Sequence, residues 1–552
     1  MLPFSDRVYD VAIIGGGING AGVARDCAMR RLSVALFEKN DICAGSTGAC
    51  SGMIHGGPRY LETEREVTRK SCEDSAIIQK IAPNLLFRIP ILIPILDTDP
   101  RVYFEMVEAF ASAYDAFSAI KGGKAHVRLS AQDVAKLGPG FTAAIRGAVS
   151  MDEWGTDPFR LTVLNAKSAA AAGAHIFTHT KVEKIETQAG RAMGVWVVAS
   201  GQPKRFVRAK TVVNLAGPWA PFVDRALMPS IQMRPSKGVH LVLDRRIVNV
   251  SMVCKAVDGR ESVFILPHEH TTLIGTTDDD FYGHPDNVTI TQDDVGYLMQ
   301  AVRHYFPGLY DYRIMRAFVG IRPTVHAWGV NESSLSRDHQ IFNHAADGVD
   351  GLFTMIGGKL AAYRLMAEEL TDLLIQKLGK REPCRTHMES LPGCTEDLPW
   401  RDEALRTGLD PIAVRRLMYR HGYKAKEILD NAVQNPELAR TLCECDQVLA
   451  AEVEYCVREE WAGNLSDIRR RTRLGMGPCQ GCRCTVNTAQ FMRSLLGWSE
   501  EETRTHASKF AQARWHGNLP VLFGEQAKQE EYARHLLFGS GFLNLPKSEG
   551  GP

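Results

Sequence analysis

The clearest pattern of apolar residues lies near the start of the chain, where a short β-branched run ends in a glycine-rich turn. Residues 11–14 read Val-Ala-Ile-Ile, and an apolar run of this length is typical of a strand buried on both faces of a parallel sheet. A helical segment follows the turn, and a second short strand ends at Glu38. The pattern therefore predicts a β-α-β unit.

The turn itself holds Gly15, Gly17 and Gly20 in the order G-x-G-x-x-G. The first glycine permits a sharp turn, the second lets the backbone approach a pyrophosphate, and the third allows the helix to pack closely on the strand. The positive N-terminus of the helix then faces the phosphates, and Glu38 can accept hydrogen bonds from a ribose. Together these features predict a dinucleotide site, and they suit a nicotinamide and a flavin dinucleotide equally.

Helical and strand patterns alternate along the rest of the chain. An aromatic and apolar stripe predicts a helix within 101–137, and Asp157 before Pro158 marks the start of another helix. Short alternating strands fill 174–217, and a strand-rich pattern at 234–322 predicts an antiparallel sheet. After a proline-marked linker near residue 385, the pattern is polar and helical.

These patterns predict a mixed α/β fold in two units and a tail. The first unit is a Rossmann-like dinucleotide domain combined with an antiparallel sheet, and the second is mainly helical. The expected boundaries are 1–385 for the first unit (dinucleotide parts about 8–80, 150–233 and 350–378; sheet about 80–150 and 234–350), 386–500 for the helical unit and 501–552 for the tail.

Length and charge limit the classes of function. The 552 residues are enough for three or four domains of roughly 150 residues. The 65 Lys and Arg residues balance 64 Asp and Glu residues, so no global charge favours binding to nucleic acid. No signal peptide is recognisable, and the apolar segment 85–96 is shorter than the roughly 20 residues of a membrane-spanning helix. We therefore expect a cytoplasmic protein in which this segment forms a core strand rather than a lipid-touching patch.

Cysteines are concentrated in the helical unit, where six of the thirteen fall between 443 and 484. Cys443 and Cys445 form a C-x-C pair, and Cys479 and Cys482 follow 33 residues later as C-x-x-C. By ligand chemistry alone, four such thiolates suit zinc and a [2Fe-2S] cluster equally. Cys484 is either a spare thiol or a competing ligand. The arginines of 469–473 are expected either to offset the charge of the metal site or to form a solvated basic face.

Together with a motif that begins at residue 54 and four later ones, the sequence resembles a known family, the FAD-dependent glycerol-3-phosphate dehydrogenases, which share a D-amino-acid-oxidase-like fold. Five motifs carry the resemblance in the family's order, and the resemblance covers roughly 9–367. Pro58, Cys50 and Met53 depart from the family's pattern around the first motif. The motifs are I-H-G-G-P-R-Y-L-E at 54–62, S-K-G-V-H at 236–240, I-G-T-T-D at 274–278, G-I-R-P at 320–323 and G-G-K-L-A-A-Y-R at 357–364.

The resemblance implies which residues form the site. It implies that FAD contacts the glycine turn, Glu38 and three later loops, and that the antiparallel sheet covers the flavin and carries substrate-binding side chains. The implied cofactor contacts are Gly15, Gly17, Gly20, Glu38, Ser46, Thr47, Gly217, Gly357, Gly358, Lys359 and Leu360. The implied catalytic and substrate-binding residues are Arg59, Tyr60, His240, Arg322 and Lys359.

Chemistry assigns roles within this set. A guanidinium makes bidentate contacts to phosphate, which places Arg322 on the phosphate of the substrate. A histidine with an ordinary pKa near ~6.5 can take a hydroxyl proton at neutral pH, which makes His240 the expected general base. The resemblance implies that the turn at Lys359 lies at the pyrimidine edge of the flavin, where its positive charge would stabilise the anionic reduced ring.

The cysteine spacing resembles that of the bacterioferritin-associated-ferredoxin-like domain, which holds a [2Fe-2S] cluster, and this favours iron–sulfur over zinc. The two modules in one chain resemble the catalytic subunits of anaerobic glycerol-3-phosphate dehydrogenases, which pass electrons to partner subunits and a membrane quinone. The expected reaction is oxidation of sn-glycerol 3-phosphate to dihydroxyacetone phosphate by hydride transfer to FAD. The expected location is peripheral, on the cytoplasmic face of the inner membrane.

Two other functions fit parts of the sequence. An amino-acid or opine dehydrogenase of the same flavoprotein fold would share both modules but would not require phosphate in its substrate. A non-catalytic electron-transfer subunit would carry the same cofactors but would react with no small substrate. The occurrence of His240, Arg322 and the turn at Lys359 in one chain favours an enzyme.

Overall fold

The structure is a computed structural model that describes residues 7–62, 64–138, 140–259, 262–326, 329, 338–541 and 543, with the side chain of Arg59 excepted. Its strands are β1 (Tyr9–Ile14), β2 (Val34–Phe37), β3 (Met53–Ile54), β4 (Leu86–Leu96), β5 (Val127–Ser130), β6 (Ile145–Thr156), β7 (His175–Phe177), β8 (Thr180–Gln188), β9 (Arg191–Ala199), β10 (Arg205–Asn214), β11 (Ser236–Leu243), β12 (Ser251–Lys255), β13 (Ser262–His268), β14 (Thr271–Gly275), β15 (Asp279–Asp280), β16 (Ile314–Arg322), β17 (His339–Asn343), β18 (Leu352–Gly357), β19 (Thr441–Cys443) and β20 (Val448–Leu449). Its α-helices are α1 (Ile18–Met29), α2 (Arg65–Ile81), α3 (Tyr103–Ser118), α4 (Ala131–Leu137), α5 (Pro158–Ala171), α6 (Ala220–Val223), α7 (Gln292–Arg303), α8 (Tyr363–Lys377), α9 (Trp400–Thr407), α10 (Pro411–His421), α11 (Ala425–Gln434), α12 (Pro436–Ala439), α13 (Ala450–Glu459), α14 (Leu465–Thr472), α15 (Thr485–Leu496), α16 (Glu500–Asn518) and α17 (Gly524–Ser540).

A largely parallel sheet forms the centre of the first unit, in the strand order β17-β18-β10-β1-β2-β7. The pairs from β18 to β7 are parallel, and β17 is antiparallel to β18. In β1, Val11 and Ile13 belong to the core on one face, whereas Ala12 and Ile14 belong to the core on the other. The prediction of a Rossmann-like sheet buried on both faces is therefore confirmed.

The second sheet is larger and mostly antiparallel, in the order β15-β11-β14-β13-β12-β4-β6-β3, with β16 added along β11 and β5 along β6. Strand β4 lies in the apolar segment 85–96, and it pairs with β6 along its whole length. The segment is thus a core strand, as expected. The antiparallel sheet predicted from the sequence is confirmed, and β16 brings its carboxyl end to Arg322.

The sequence predicted the start of one helix correctly and the extent of another incorrectly. The side chain of Asp157 accepts hydrogen bonds from the backbone N–H groups of Phe159 (2.9 Å) and Arg160 (3.2 Å), so α5 begins where the sequence predicts. The predicted helix within 101–137 is instead α3, the edge strand β5 and the short helix α4. Residues 127–130 become a strand because β6 offers them a free edge, which the local pattern does not reveal.

The C-terminal unit is mainly helical, as expected, and its small hairpin β19–β20 carries the first cysteine pair. The segment after residue 500, expected as a tail, contains the helices α16 and α17. Gly517 of α16 packs on the Arg316 side chain of β16, and Arg514 of α16 pairs with Glu530 of α17 at 2.7 Å. Within the described part of the chain, no helix is both long enough and apolar enough to cross a bilayer.

Buried charges join the C-terminal unit to the first unit. Arg160 of α5 donates to both carboxylate oxygens of Glu460, at 2.7 and 3.1 Å, and its Nε donates to the carbonyl of Arg420 at 3.0 Å. Glu452 receives two 2.6 Å bonds from Arg420 and lies 3.0 Å from His421 Nε2. All five side chains are at most 3% exposed, so each charge depends on its partner.

A second buried contact gives two of the arginines at 469–473 a role that differs from the expected one. Arg471 donates to Asp41 at 2.6 and 2.8 Å, and Arg470 donates to the same carboxylate at 2.6 Å. Burial raises the pKa of Asp41, but the two guanidiniums outweigh it and lower the pKa to about 2. These two arginines therefore neither form a solvated face nor offset the charge of a metal site. They fix the C-terminal unit to the loop after β2.

We expect Arg160→Met to destabilise the protein by about 3–5 kcal/mol, because the change leaves the Glu460 carboxylate buried without its main partner. Chemical denaturation followed by circular dichroism measures this loss. Arg31→Met is the matched control, since the Arg31 side chain is 81% exposed and its pair with Glu382 lies at 3.5 Å. Equal losses in the two variants would contradict the interpretation of the interface.

Glu452 gives a pH-dependent prediction. Burial raises its pKa, but Arg420 and His421 lower it to about 2, below the ordinary 4.5. Its stabilisation is therefore complete above pH 4.5 and is lost as pH falls towards 2. Relative to Glu452→Gln, the wild type should lose about 1.4 kcal/mol of unfolding free energy per pH unit below 4.5. The exposed Glu459→Gln variant serves as control, and a parallel pH dependence in both comparisons would refute the assignment.

Candidate active site

A cavity of about 460 Å³ lies at the carboxyl ends of β1 and β2. The glycine turn, the end of β2, the loop 44–47 and the turn after β10 form its walls. Cofactors bind at this edge of doubly wound sheets because the strand ends and the helix N-terminus converge there. The cavity therefore has the position expected for the adenosine and pyrophosphate parts of a dinucleotide.

The glycines of the first turn are held in close contacts. Gly15 has a φ of +110°, and a Cβ there would lie 2.5 Å from the carbonyl oxygen of Leu215. A Cβ at Gly20 would lie 1.9 Å from the carbonyl oxygen of Gly15, so α1 can pack on β1 only with glycine at this position. Gly17 forms the N-cap of α1 without any side-chain cap, which leaves the first turn of the helix directed at the cavity.

Glu38 and the loop after it complete the wall. The Glu38 carboxylate accepts backbone hydrogen bonds from Gly16 (2.7 Å) and Asn40 (2.8 Å), and burial raises its pKa. Thr47 accepts a hydrogen bond from the N–H of Ile18 at 3.2 Å, whereas Ser46 donates to the carbonyl of Ile321 at 2.6 Å. Ser46 thus ties this cavity to the end of β16.

The turn after β10 faces the same cavity. Gly217 has a φ of +56°, and among the described residues other than its chain neighbours none has an atom within 4 Å of a Cβ placed there, so the backbone is open on the side where a ligand fits. At the rim, Asp286 accepts hydrogen bonds from Trp219 Nε1 and Lys39 Nζ, both at 2.8 Å, and Lys39 lies 4.3 Å from the Trp219 ring. This rim cluster of Lys39, Trp219 and Asp286 was not foreseen from the sequence.

A second cavity, also of about 460 Å³, lies between the two sheets. The loop 50–53, which lies a few residues after the wall of the first cavity, lines the second, so one stretch of chain connects the two cavities. Other walls come from β4, β13, the end of β16 and the turn after β18, represented by Ile91, Phe264, Arg322, Gly358, Lys359 and Leu360. A flavin ring and a small substrate would fit here.

His240 lies in the wall of this second cavity and not in its lining. Its Nε2 is 2.9 Å from the hydroxyl of Ser51, which does line the cavity, and its ring stacks on Phe318 with centroids 4.9 Å apart. Burial, with the nearby Arg322 charge, lowers the pKa of His240 to about 3. The ordinary pKa assumed from the sequence is therefore wrong, and the imidazole is neutral throughout the physiological range.

Arg322 ends β16, and surrounding acceptors hold its guanidinium at the cavity. Nη1 donates to Asp278 (2.9 Å) and Ser236 (3.3 Å), and Nη2 donates to Thr276 and to the carbonyl of Thr277 (both 3.1 Å). The side chain is 25% exposed, while Asp278 is 2% exposed. The buried carboxylate thus orients the guanidinium, whose edge lines the cavity.

The turn after β18 meets the motif at 54–62 across the cavity. Lys359 Nζ lies 3.7 Å from the centroid of the Tyr60 ring, and a Cβ at Gly57 would lie 2.7 Å from the same nitrogen. Gly357 and Gly358 both have a φ of +85°, which a side chain would make strained. The structure therefore brings Tyr60 and Lys359 together. The side chain of Arg59 lies outside the described residues.

Several supporting residues escaped the sequence analysis. Beneath the motif at 54–62, Glu153 is fully buried and accepts hydrogen bonds from Tyr114 (2.6 Å), the N–H of Gly56 (3.3 Å) and Lys121. Elsewhere, Ser51, Thr276 and Asp278 position His240 and Arg322. These three residues lie within or beside the motifs quoted above, so motif membership was a usable signal for them, whereas nothing local marks Tyr114 or Lys121.

The cysteines of the C-terminal unit lie close together in pairs. Cys445 Sγ is 3.6 Å from Cys479 Sγ, near the roughly 3.8 Å expected for two sulfurs on one tetrahedral metal with ~2.3 Å bonds. A hydrogen bond from Cys484 lowers the pKa of Cys443 to about 7, and Cys482 is half-buried in the same loop as Cys479. Among the residues described, no group of three or more His, Cys, Asp or Glu side chains is arranged to hold a metal ion.

Two arginines beside these cysteines carry charge that the protein does not balance locally. Arg316 of β16 has a buried Nη1 without a hydrogen-bond partner in the described chain, and burial lowers its pKa to about 10. Burial and the charge of Arg316 also lower the pKa of Arg469, while Cys484 raises it. Neither guanidinium forms an ion pair with a described carboxylate. An anionic group at the cysteines would compensate both charges.

Comparison with known proteins gives matches over nearly the whole chain. The profile of FAD-dependent oxidoreductases matches residues 10–364, and that of the C-terminal domain of alpha-glycerophosphate oxidase matches residues 384–503. The chain is 34% identical over 531 residues to an anaerobic glycerol-3-phosphate dehydrogenase subunit of Haemophilus influenzae, covering 95% of this chain and 91% of that protein. It is 33% identical over 549 residues to the Escherichia coli K12 protein of the same name, covering 98% of both.

Solved structures agree with these matches. The glycerol-3-phosphate dehydrogenase of Bacillus halodurans complexed with FAD superposes with a TM-score of 0.74 at 25% identity, covering 94% of this chain and 97% of that one. The L-alpha-glycerophosphate oxidase of Mycoplasma pneumoniae, at 19% identity and a TM-score of 0.51, shows the fold alone, over 70% of this chain and 99% of that one. The chain therefore belongs to the FAD-dependent oxidoreductases and, within them, to the family of glycerol-3-phosphate dehydrogenases.

Proposed function

We propose that this protein oxidises glycerol 3-phosphate to dihydroxyacetone phosphate with bound FAD and passes the electrons through a [2Fe-2S] cluster to partner subunits. One observation carries the first part of the proposal. The oriented guanidinium of Arg322 and the turn at Gly358 and Lys359 line the second cavity, and the neutral, buried His240 lies behind the lining in contact with Ser51. These groups suit the oxidation of a phosphorylated secondary alcohol by a flavin, because they offer a cation for the phosphate, an acceptor for the hydroxyl proton and positive charge at the ring.

The chain fits FAD at the first cavity. Gly15, Gly17 and Gly20 leave room for the pyrophosphate at the N-terminus of α1. Glu38 lies where its carboxylate would accept hydrogen bonds from the ribose. FAD bound in this way would supply an electron-accepting ring, which the lining of the second cavity would hold beside the substrate. Lys359 and the turn at Gly358 would place positive charge and backbone N–H groups at the ring.

Substrate binding would rely on positive charge. Asp278, Thr276 and Ser236 fix the Arg322 guanidinium before substrate arrives, so little side-chain entropy is lost when a phosphate binds. Arg59, the remaining cation of the motif at 54–62, is assigned to the same phosphate by its place in the sequence. Tyr60, which packs on Lys359, would close the site from the opposite side.

His240 would receive the hydroxyl proton of the substrate. The neutral ring has a lone pair on one nitrogen at every physiological pH, and Ser51 presents its hydroxyl to the cavity while contacting Nε2. A bound phosphate dianion offsets the Arg322 charge, which is one of the causes of the low pKa. The basicity of His240 therefore rises when substrate is present, which favours proton transfer.

We assign an anionic cluster to the cysteine loops on the basis of the cysteine spacing and the two nearby arginines. Cys443, Cys445, Cys479 and Cys482 would hold the [2Fe-2S] group, whose negative charge would compensate Arg316 and Arg469. The 3.6 Å separation between Cys445 and Cys479 also suits zinc, the alternative metal. The cluster would carry single electrons from the flavin to an acceptor outside the chain.

Partner subunits and a membrane quinone complete the proposal. The relatives in Haemophilus influenzae and Escherichia coli are each named as one subunit of their enzyme, which indicates further subunits there. We extend this arrangement to the present chain and place it at the cytoplasmic face of the inner membrane through those subunits. Co-purification of the chain with membranes only when partner subunits are co-expressed tests this assignment.

Arg322→Lys tests the phosphate assignment. The lysine keeps a charge beside Asp278 but cannot make bidentate contacts, so kcat/KM for anaerobic flavin bleaching by glycerol 3-phosphate should fall at least about 30-fold, or about 2 kcal/mol. Slow bleaching by unphosphorylated glycerol should change less than about twofold, because this alcohol has no phosphate for the guanidinium to bind.

Arg234→Lys is the matched control for this experiment, because Arg234 pairs with Asp280 at the same end of the sheet without lining the cavity. It should leave both substrates unaffected. Equal effects of Arg322→Lys on the two alcohols would refute the phosphate role. Bleaching by an amino acid in place of glycerol 3-phosphate would instead favour the amino-acid or opine dehydrogenase.

Single cysteine variants test the cluster. In anaerobically purified protein, Cys482→Ser should abolish the visible and electron-paramagnetic-resonance signature of [2Fe-2S], while the matched Cys484→Ser variant should retain it. Flavin bleaching by glycerol 3-phosphate should persist in both, because the substrate site is separate. Loss of the signature in Cys484→Ser alone would contradict the ligand assignment. If mass spectrometry of the wild type finds zinc without iron, the site is a zinc site and the cluster assignment is wrong.

A further inference from the structure

A third cavity, of about 690 Å³, is larger than either cavity of the active site and lies apart from both. It is formed where the antiparallel sheet meets the C-terminal helices. Strand β4 and the turn between β13 and β14 form one wall, and one face of α10 forms the other. The residues Ile412, Arg415, Arg416 and Tyr419 follow helical spacing, so α10 directs a continuous stripe into the cavity.

Guanidinium groups dominate this cavity. Six arginines line it, against the two carboxylates Glu269 and Asp446; the arginines are Arg88, Arg246, Arg415, Arg416, Arg420 and Arg473. Three of the six pair with carboxylates behind the wall: Arg420 with Glu452, Arg473 with Asp157 and Arg88 with Asp152. The other three determine what the cavity can bind.

Arg246, Arg415 and Arg416 come from two different elements. Arg246 donates only to backbone carbonyls, at 3.2 and 3.3 Å, and Arg415 lies 5.7 Å from the Trp400 ring. Neither forms an ion pair with a described residue. Arg416 donates to the Cys445 carbonyl at 2.8 Å and lies 3.7 Å from Asp446. Positive charge is therefore concentrated at the cavity and only partly balanced.

Two residues that line the cavity carry buried nitrogen atoms that matter for binding. Nε of Arg473 and Nε2 of His270 are buried and have no hydrogen-bond partner in the described chain. Arg416 Nη2 lies 3.4 Å from His270 Nδ1. Because a guanidinium can only donate, Nδ1 is the acceptor, and the neutral ring must carry its proton on Nε2. Two buried donors thus belong to residues of the same cavity, and leaving them unsatisfied is costly.

We propose that this cavity binds an organic phosphate larger than a triose phosphate, with its phosphates on Arg246, Arg415 and Arg416 and its body against the apolar wall. Guanidinium groups bind phosphate oxygens through paired N–H donors, and the buried donors of Arg473 and His270 supply two more contacts. Phe87, Trp400 and Ile412 offer an apolar surface for the rest of the ligand. The volume exceeds by half that of the cavity assigned to flavin ring and substrate.

The site is independent of the catalytic site but touches the cysteine unit. Arg416 contacts the carbonyl of Cys445, and Asp446 follows that cysteine directly in the chain. A ligand that orders Arg416 would therefore act on the loop of the first cysteine pair. The proposal does not rest on the assigned substrate, because none of its residues lines the active-site cavities.

Equilibrium binding to the full-length, flavin-loaded protein tests the proposal. The probes are ATP, fructose 1,6-bisphosphate and inorganic phosphate, measured by isothermal titration calorimetry at two salt concentrations. At least one of the organic probes should bind once per chain, more tightly than inorganic phosphate. The affinity should fall at least about tenfold in the double variant Arg246→Glu/Arg415→Glu, whose two positions are exposed, because both changes replace a phosphate-binding cation by an anion.

Arg401→Glu is the matched control, because Arg401 lies 4.4 Å from the centroid of the same Trp400 ring but does not line the cavity. The affinity of this variant should change less than about twofold, and both Arg401→Glu and the double variant should keep wild-type flavin bleaching by glycerol 3-phosphate. The proposal fails if neither organic probe binds, if binding survives in the double variant, or if Arg322→Lys abolishes it. Binding of an acidic peptide in place of every phosphate would also overturn it.

Discussion

The arrangement of the molecule depends on ion pairs that are closed off from water. Arg160 enters the C-terminal unit from the first unit, and Glu460, His421, Glu452 and Arg420 surround it without solvent access. A buried pair of this kind adds little net stability, but it penalises every other docking position, because misplacement leaves charges unpaired in a dry interface. The second contact, between Asp41 and the arginines of α14, acts in the same direction. The C-terminal helices are therefore held in one register on the dinucleotide unit.

The fixed docking of the two units brings the second cavity and the cysteine loops to the same strand, β16. Strand β16 ends at Arg322 in the substrate cavity, carries Phe318 against the ring of His240, and presents Arg316 near the cysteine loops. Gln480 of the cysteine loop donates to the sulfur of Met315, at 3.6 Å, which brings this loop onto the start of the strand. A strand rises about 3.3 Å per residue, so the stretch from Arg316 to Arg322 spans about 20 Å. Substrate chemistry and the proposed cluster are thus connected by one rigid element.

The sequence predicted local features well and distant pairings poorly. Short sequence patterns predicted the β-α-β unit at Gly15, the start of α5 at Asp157 and the core strand 86–96. Each of these patterns depends only on the burial of apolar residues and on local backbone geometry. The partner of Arg471 lies 430 positions away at Asp41, and no local pattern encodes that pairing. For the same reason the sequence did not predict β5, because this strand forms by pairing with the edge of β6. It also explains the pKa of His240, which depends on burial by residues that are distant in the chain. The resemblance to family motifs identified Arg322 and Lys359 as candidate site residues. The side chains that contact them are seen only in the three-dimensional structure.

Strand β16 also limits how this protein can change over evolutionary time. Arg316, Phe318, Gly320 and Arg322 occupy alternate positions and so share one face, and a Cβ at Gly320 would lie 2.9 Å from the carbonyl oxygen of Ala49. An insertion or deletion of a single residue would turn this whole face to the opposite side of the sheet. Length changes in this strand are therefore tolerated only in pairs or with a compensating bulge. Lineages that alter the end of the strand near the cysteine loops must keep the parity of the strand in order to keep Arg322 at the second cavity.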